Sequence, residues 1–404
     1  MQIPVRRLSE SIRAVIFLLL GALSVARGDD ILEADGPGDN LTSNNKTYST
    51  SAAPPAMLAI HGGTILSIGD QVAVLLPGGV TALQAQGIGS QITAENPTIL
   101  ALGLGRTGIP GARGVDGGLV TLEGGKIEIE GDDSFGLFAD GGTVTTKGTL
   151  TISMTGVDSH GVEARGIGSV ELGPNTIITT AGSGGIGIFA LTGGTVTANG
   201  VAITTSGILS LSGFSADGAA ALGGTIILDN SSITTSGANA NGLHAFDANS
   251  KIFGTNITIT TSGALASGVK AENGGQVNLN GATITTQGAG AFGLSLSGAG
   301  SRITLTNSNL LSLQGSGASV NNGASLTLSG TNLTALVHGI VATGGNAGAP
   351  NTVNISGGNV IPVLGDALQV QNGATNITVS NGATVTATAH YCGFSIRPEK
   401  RWSI

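Results

Sequence analysis

The sequence predicts an all-β fold, a right-handed parallel β-helix of about twelve coils, and three observations lead there. One segment recurs at intervals near 25 residues. The same type of residue returns at the same place in each copy. Of 404 residues, 69 are Gly and only 3% are aromatic, too few large side chains for a conventional core. Yet the mean hydropathy of +0.32 is too apolar for disorder. Small and β-branched residues stacked in a regular array reconcile the two.

Copies open on Gly136, Gly161, Gly187, Gly218, Gly242, Gly268, Gly293 and Gly339, with a weaker one near Gly317. In the first strand of each copy, one column reads Leu137, Val162, Ile188, Ala219, Leu243, Val269, Leu294, Ile340. A second reads Ala139, Ala164, Ala190, Ala221, Ala245, Ala271, Leu296, Ala342. Between them stand Phe138, Glu163, Phe189, Ala220, His244, Lys270, Ser295 and Val341, which share nothing. Two apolar columns around an unrestricted one describe a strand with one buried face.

The second strand carries the column Val144, Val170, Val196, Ile226, Ile252, Val277, Ile303, Leu326, Val353. The third centres on Ile-Thr-Thr beginning at Ile178, Ile203, Ile233, Ile259 and Ile284, with Gly182, Gly207, Gly237, Gly263 and Gly288 two residues beyond. β-Branched residues favour the strands, while Gly and Asn permit tight corners. Three strands of about four residues form no stable domain alone, but stacked coils pair in parallel about 4.8 Å apart, giving a rod of roughly 55–60 Å. Thr and Asn columns can then form hydrogen-bonded ladders.

Around this rod the chain divides into four parts. Residues 1–26 read as a secretory signal: Arg6, Arg7 and Arg13 precede the apolar run Ala14–Leu23, and Ser24 and Ala26 suit cleavage. Residues 27–56 are polar and read as a flexible leader, and residues 57–389 are the repeat domain. Met57–Leu76 is expected to be the first, capping coil, and Leu104–Gly118 an insertion between coils. Residues 390–404 lack repeat character and hold Cys392, the sole Cys, and Trp402, the sole Trp. This tail reads as the product of a truncation or frameshift.

A net charge of −8 argues against nucleic acid, and one Cys excludes a disulfide framework or thiolate metal cluster. Neither a cofactor nor a metal is expected. Arg27-Gly28-Asp29 is a tripeptide that some adhesins use, placed beside the cleavage point. Gly131-Asp132-Asp133 is similar to the catalytic aspartate segment of polygalacturonases, which are also β-helices. Asp158 and His160 follow one period later, so Asp133 and Asp158 are expected on neighbouring coils. Such carboxylates could act as general acid and base in inverting glycoside hydrolysis, or bind Ca²⁺ weakly. The Asn-Thr-Asp and Arg-x-Lys segments of that family are missing. His61, His244 and His338 have no metal-ligand spacing and read as surface residues.

The coil pattern, seen at Gly268-Val269-Lys270-Ala271-Glu272-Asn273-Gly274-Gly275-Gln276-Val277, resembles the passenger domain of pertactin-like bacterial autotransporters over residues 60–389. The resemblance implies a passenger carried to the cell surface by a C-terminal β-barrel, serving as an adhesin or virulence factor. No amphipathic strand series follows residue 389, so the chain as written implies a periplasmic product if truncated. The expected function is a non-enzymatic, monomeric adhesive rod presenting Thr, Ser, Asn and aromatics such as Phe138, Phe189 and Phe253. Its partners would be host-cell surface or extracellular matrix molecules or other bacterial surfaces. The rivals are a β-helical polysaccharide-degrading enzyme and a non-functional remnant of a larger autotransporter.

Overall fold

The computed structural model of the chain describes residues 31–387, apart from 51–53, 76–78 and 104–106. The signal segment 1–26, Arg27-Gly28-Asp29 and the tail 390–404 lie outside the described residues. Every assigned element is a strand. Fourteen of them, from Leu32–Asp35 to Leu368–Gln371, lie side by side as the first face of a solenoid. The remaining strands form the second and third faces, which merge where single strands such as Leu119–Ile129 and Asn351–Pro362 run across the corner. Every ladder between strands is parallel and joins equivalent residues, for example Leu243 with Val269 and Ile259 with Ile284. The result is a right-handed β-helix of about 13 turns, roughly 62 Å long at about 4.8 Å per turn.

The interior is what the columns predict. From Leu137 to Leu294 the first inward column is 0% exposed, as are the alanines facing it from Ala139 to Ala271. In each Ile-Thr-Thr the Ile and the second Thr point inward, since alternate side chains of a strand share a face. The buried hydroxyls of Thr180, Thr205, Thr235 and Thr261 do not pair with one another. Each donates to a carbonyl across the corner of its own coil: Gly185 (2.6 Å), Ala216 (2.6 Å), Ala240 (2.7 Å) and Ala266 (2.9 Å). A buried hydroxyl needs a partner, and the turning backbone supplies the nearest one. The expected side-chain ladder exists among asparagines on the outside, where Asn359 donates to Asn332 (2.9 Å) and Asn332 to Asn309 (3.1 Å).

Three expectations about the N-terminal part are corrected. Residues 31–50, read as flexible leader, make a regular first coil from strands Leu32–Asp35, Asn40–Asn44 and Thr47–Thr50, paired with the coil after it. Polar composition misleads here because a coil needs few inward residues. Ala34, Ser43, Tyr48 and Thr50 suffice, with the Tyr48 hydroxyl donating to Ser43 Oγ at 2.7 Å. The strands from Met57 to Val74, expected in the first, capping coil, therefore belong to the second. The Gly-rich stretch read as an insertion contains the strand Pro110–Val115, which pairs on both sides like any other first-face strand.

The glycine after Ile-Thr-Thr has a steric cause. These glycines stack backbone on backbone, so a methyl group built on Gly237 would land on the Gly207 carbonyl oxygen, and one on Gly263 on that of Gly237. No side-chain movement relieves a clash with backbone, so the coils themselves would have to part. Gly237→Ala is expected to cost at least about 3 kcal/mol in urea unfolding followed by circular dichroism. Gly382→Ala, at φ +71° with nothing nearby, should cost only about 1 kcal/mol.

Candidate interaction surface

The outward column of the first face shares no residue type, and it is where aromatic and titratable groups gather. Register places Phe138, Glu163, Phe189, Ala220, His244 and Lys270 in one file. Asp140, Arg165 and Leu191 run beside it. Side chains so stacked touch the next coil before they touch water. Asp140 accepts from Arg113 at 3.0 Å and from Arg165 at 2.8 Å, joining three coils, and both guanidinium groups lie over the Phe138 ring, at 5.2 and 4.7 Å. The Arg165 and Arg113 hydrogen bonds outweigh burial and hold the Asp140 carboxyl below its ordinary value.

Phe138 and Phe189, expected to be displayed, are 3% and 2% exposed. Phe138 stacks on Phe135 at 4.8 Å under the guanidinium pair. Phe189 meets the edges of His160 (5.1 Å) and Phe214 (5.8 Å). Phe253, on the second face, is the one of the three on display, at 38%. Phe214 arrives on a loop with no counterpart among the described residues: thirteen residues join strand Ala202–Thr205 to strand Ala219–Leu222, where seven serve between Ser232–Thr235 and Leu243–Ala245. The longer interval from Gly187 to Gly218 is the sequence's trace of it.

Two titratable neighbours are enclosed here. Burial pushes Glu163 up to about 7, with Arg165 opposing, and pushes His160 down to about 4, with Asp158 opposing. The signs are opposite. A carboxyl raised from 4.5 stabilises the fold least when ionised, so its burden grows from pH 4.5 to 7 and is complete above. The neutral imidazole instead loses stability as pH falls from 6.5 toward 4. Glu163→Gln is therefore expected to stabilise the protein by about 2 kcal/mol at pH 8 and to change little at pH 4, in thermal melts.

His244 corrects the surface assignment most sharply, being 2% exposed. Its Nδ1 meets Asp217 Oδ2 at 2.8 Å, its Nε2 meets Glu272 Oε1 at 2.9 Å, and its ring stacks on Phe246 at 3.6 Å. Lys270 also pairs with Glu272, at 3.0 Å. The buried Asp217 accepts as well from the Asn241 backbone N–H (2.6 Å) and side chain (3.0 Å). With carboxylates on both nitrogens, the imidazole donates twice and is cationic. Burial pulls its pKa down, but Asp217 and Glu272 more than offset this and leave it above the ordinary value. The His244 bond, against burial and aided by Lys270, lowers Glu272 to about 2. The staple's stability is complete below pH 6.5 and is lost as pH rises through the raised pKa. His244→Asn should cost about 3 kcal/mol or more in urea unfolding at pH 6, because it strands the Asp217 charge. The difference should narrow in alkali.

The acids singled out by motif lie at the corner before the first face. Asp133 and Asp158 do sit on neighbouring coils, with the Asp133 N–H donating to the Val157 carbonyl at 2.9 Å. Both have a left-handed backbone, φ +51° and +50°, which Asp tolerates. Burial, then Asp158 and Asp132, raise the Asp133 carboxyl. Asp132 accepts from the Val157 N–H at 2.7 Å, Asp158 accepts from the Ser212 hydroxyl, and His160 Nδ1 accepts from the Ile186 N–H at 3.2 Å. Asp132, Asp158 and His160 thus hold the corner and the long loop together. Among the described residues no group of three or more His, Cys, Asp or Glu could hold a metal ion. His61 is exposed beside Asp35, and His338 Nδ1 accepts from the Asp366 N–H at 3.0 Å.

The described residues thus form a long parallel β-solenoid whose outer face gathers its aromatic and titratable groups. The chain is 29% identical to the BrkA autotransporter of Bordetella pertussis over 259 residues, which are 60% of this chain and 24% of BrkA. It thus spans about a quarter of that relative's length. Its fold is similar to that in the cryo-EM structure of the Vag8–C1 inhibitor complex, with TM-score 0.52 and 16% identity over 93% of this chain and 100% of that one. The AlgE4 A-module, a mannuronan C-5 epimerase of Azotobacter vinelandii, superposes with TM-score 0.38 and 15% identity over 86% and 91% of the two chains, too loosely to argue from. No family model matches the chain.

Proposed function

We propose that the chain is the rod of a pertactin-like autotransporter passenger, displayed outside the cell, and that it works by contact. The likeness to BrkA carries this reading. A surface of stacked side chains on a stiff support favours binding, since little freedom is lost when a partner docks. Among solenoids of this fold, Vag8 forms a complex with C1 inhibitor, so a host protein is a reasonable class of partner, alongside extracellular matrix and other bacterial surfaces. No catalytic centre is required. The exposed flanks of Arg165 and Lys270 would meet the partner, while Phe138 and Asp140 hold the first in place and Glu272 the second.

The test displays the full chain on a non-adherent bacterium and counts cells bound to epithelial monolayers and to immobilised matrix proteins. Arg165→Ala with Lys270→Ala is expected to lower binding about fivefold, whereas Asn309→Ala with Asn332→Ala on the third face should leave it unchanged. No binding to any cell or matrix surface would sink the adhesive reading. Release of reducing ends from pectin-like polymers, abolished by Asp132→Asn with Asp133→Asn, would replace it with the enzymatic one.

A further inference from the structure

The long loop between Thr205 and Ala219 does more than cover the aromatic cluster. Its base is fixed at several points. The Ile208 carbonyl accepts from the Gly184 N–H (2.8 Å), the Phe214 carbonyl from the Ser210 N–H (2.9 Å), and the Ser210 carbonyl from the Gly213 N–H (3.1 Å). The Ser212 hydroxyl is held by Asp158, and Phe214 is wedged against Phe189 and His160. What this scaffold holds out is aliphatic: Ile208 is 56% exposed, Leu209 48% and Leu211 109%. Val157, next to the Asp158 anchor, adds 44%. Large apolar side chains clustered on a pinned loop are not the scattered exposure of an ordinary surface.

We infer that Ile208, Leu209 and Leu211 form a membrane-touching tip that enters the headgroup region of a zwitterionic bilayer. This deepens the adhesive reading and rests on its claim that the rod is displayed outside the cell. Size argues for lipid. Three or four side chains are far short of the roughly 20–30 residues a side of a specific protein interface, whereas a bilayer accepts a few aliphatic groups without shape matching. Charge argues for a neutral headgroup. The loop contains no Lys or Arg, Asp132, Asp133 and Asp158 lie at the adjoining corner, and the chain carries −8 overall. An anionic lipid would therefore be repelled. Pinning lowers the cost of insertion, because the tip has little conformational freedom left to lose.

The experiment floats the full chain with phosphatidylcholine vesicles, and with vesicles of equal parts phosphatidylcholine and phosphatidylglycerol. The native chain is expected to partition onto the first and less onto the second. Leu209→Ser with Leu211→Ser, which leaves Phe214 and the anchors in place, should lower partitioning about a hundredfold, on the order of tenfold for each leucine removed. A matching circular dichroism spectrum would show that this variant is folded. Absence of the native chain from phosphatidylcholine vesicles, equal flotation of the variant, or binding that requires phosphatidylglycerol would each overturn the inference. So would loss of cell binding by the variant without any vesicle binding, which would reassign the tip to a protein partner. Binding to immobilised matrix proteins with no flotation would overturn the lipid-binding tip alone and leave the adhesive rod standing.

Discussion

Parallel stacking in register is the constraint on which everything else depends. Each coil is too small to bury its own apolar face and becomes stable only with a neighbour about 4.8 Å above and below. That distance is short enough to forbid side chains at certain corners, which is why glycine recurs where backbone passes over backbone, as at Gly207, Gly237 and Gly263. It also makes the core a set of files. A file of Ala faces files of Leu, Val and Ile, and the interior closes with hardly an aromatic ring in it. Inward hydroxyls mostly find a partner at a turn, as Thr235 finds in the Ala240 carbonyl, whereas the equivalent hydroxyl of Thr286 is buried without one.

The same short repeat governs the outside. On a flat sheet, residues in one file are nearest neighbours even though about 25 positions separate them in sequence. Opposite charges in the same or a neighbouring file therefore pair across coils, as in Arg113–Asp140–Arg165 and His244–Glu272. Rings along one strand and from the neighbouring coil or loop cover each other, so a side chain pointing away from the core can still be dry. The aromatic cluster under the long loop is a small second core on the outer side of the sheet, built from Ile186, Phe189 and Ala220 with Phe214 as its lid. It turns a uniform rod into one with a marked site.

The sequence made much of the architecture legible. Inward columns, Ile-Thr-Thr strands and corner glycines are local patterns repeated many times, and repetition averages out the noise of any single segment. The first coil escaped because Asp35, Asn40, Asn44 and Thr47 look like a linker, and one coil contributes too few inward residues to show a period by itself. His244 escaped for another reason. Its outward position was visible, but its partners Asp217 and Glu272 lie 27 and 28 positions away in opposite directions, and Asp217 belongs to the irregular loop.

What the sequence by itself determined is which side chains face in, the parallel register, and the sites where only glycine fits, because these follow from a period that every coil repeats. The tertiary structure alone decided which outward residues are covered, which charges meet, and that the thirteen residues after Thr205 fold back on the sheet with Leu209 and Leu211 held out. The physical reason is that these outcomes arise from single, unrepeated contacts between coils, where one insertion or one unpaired charge changes the surroundings and no neighbouring copy records the change.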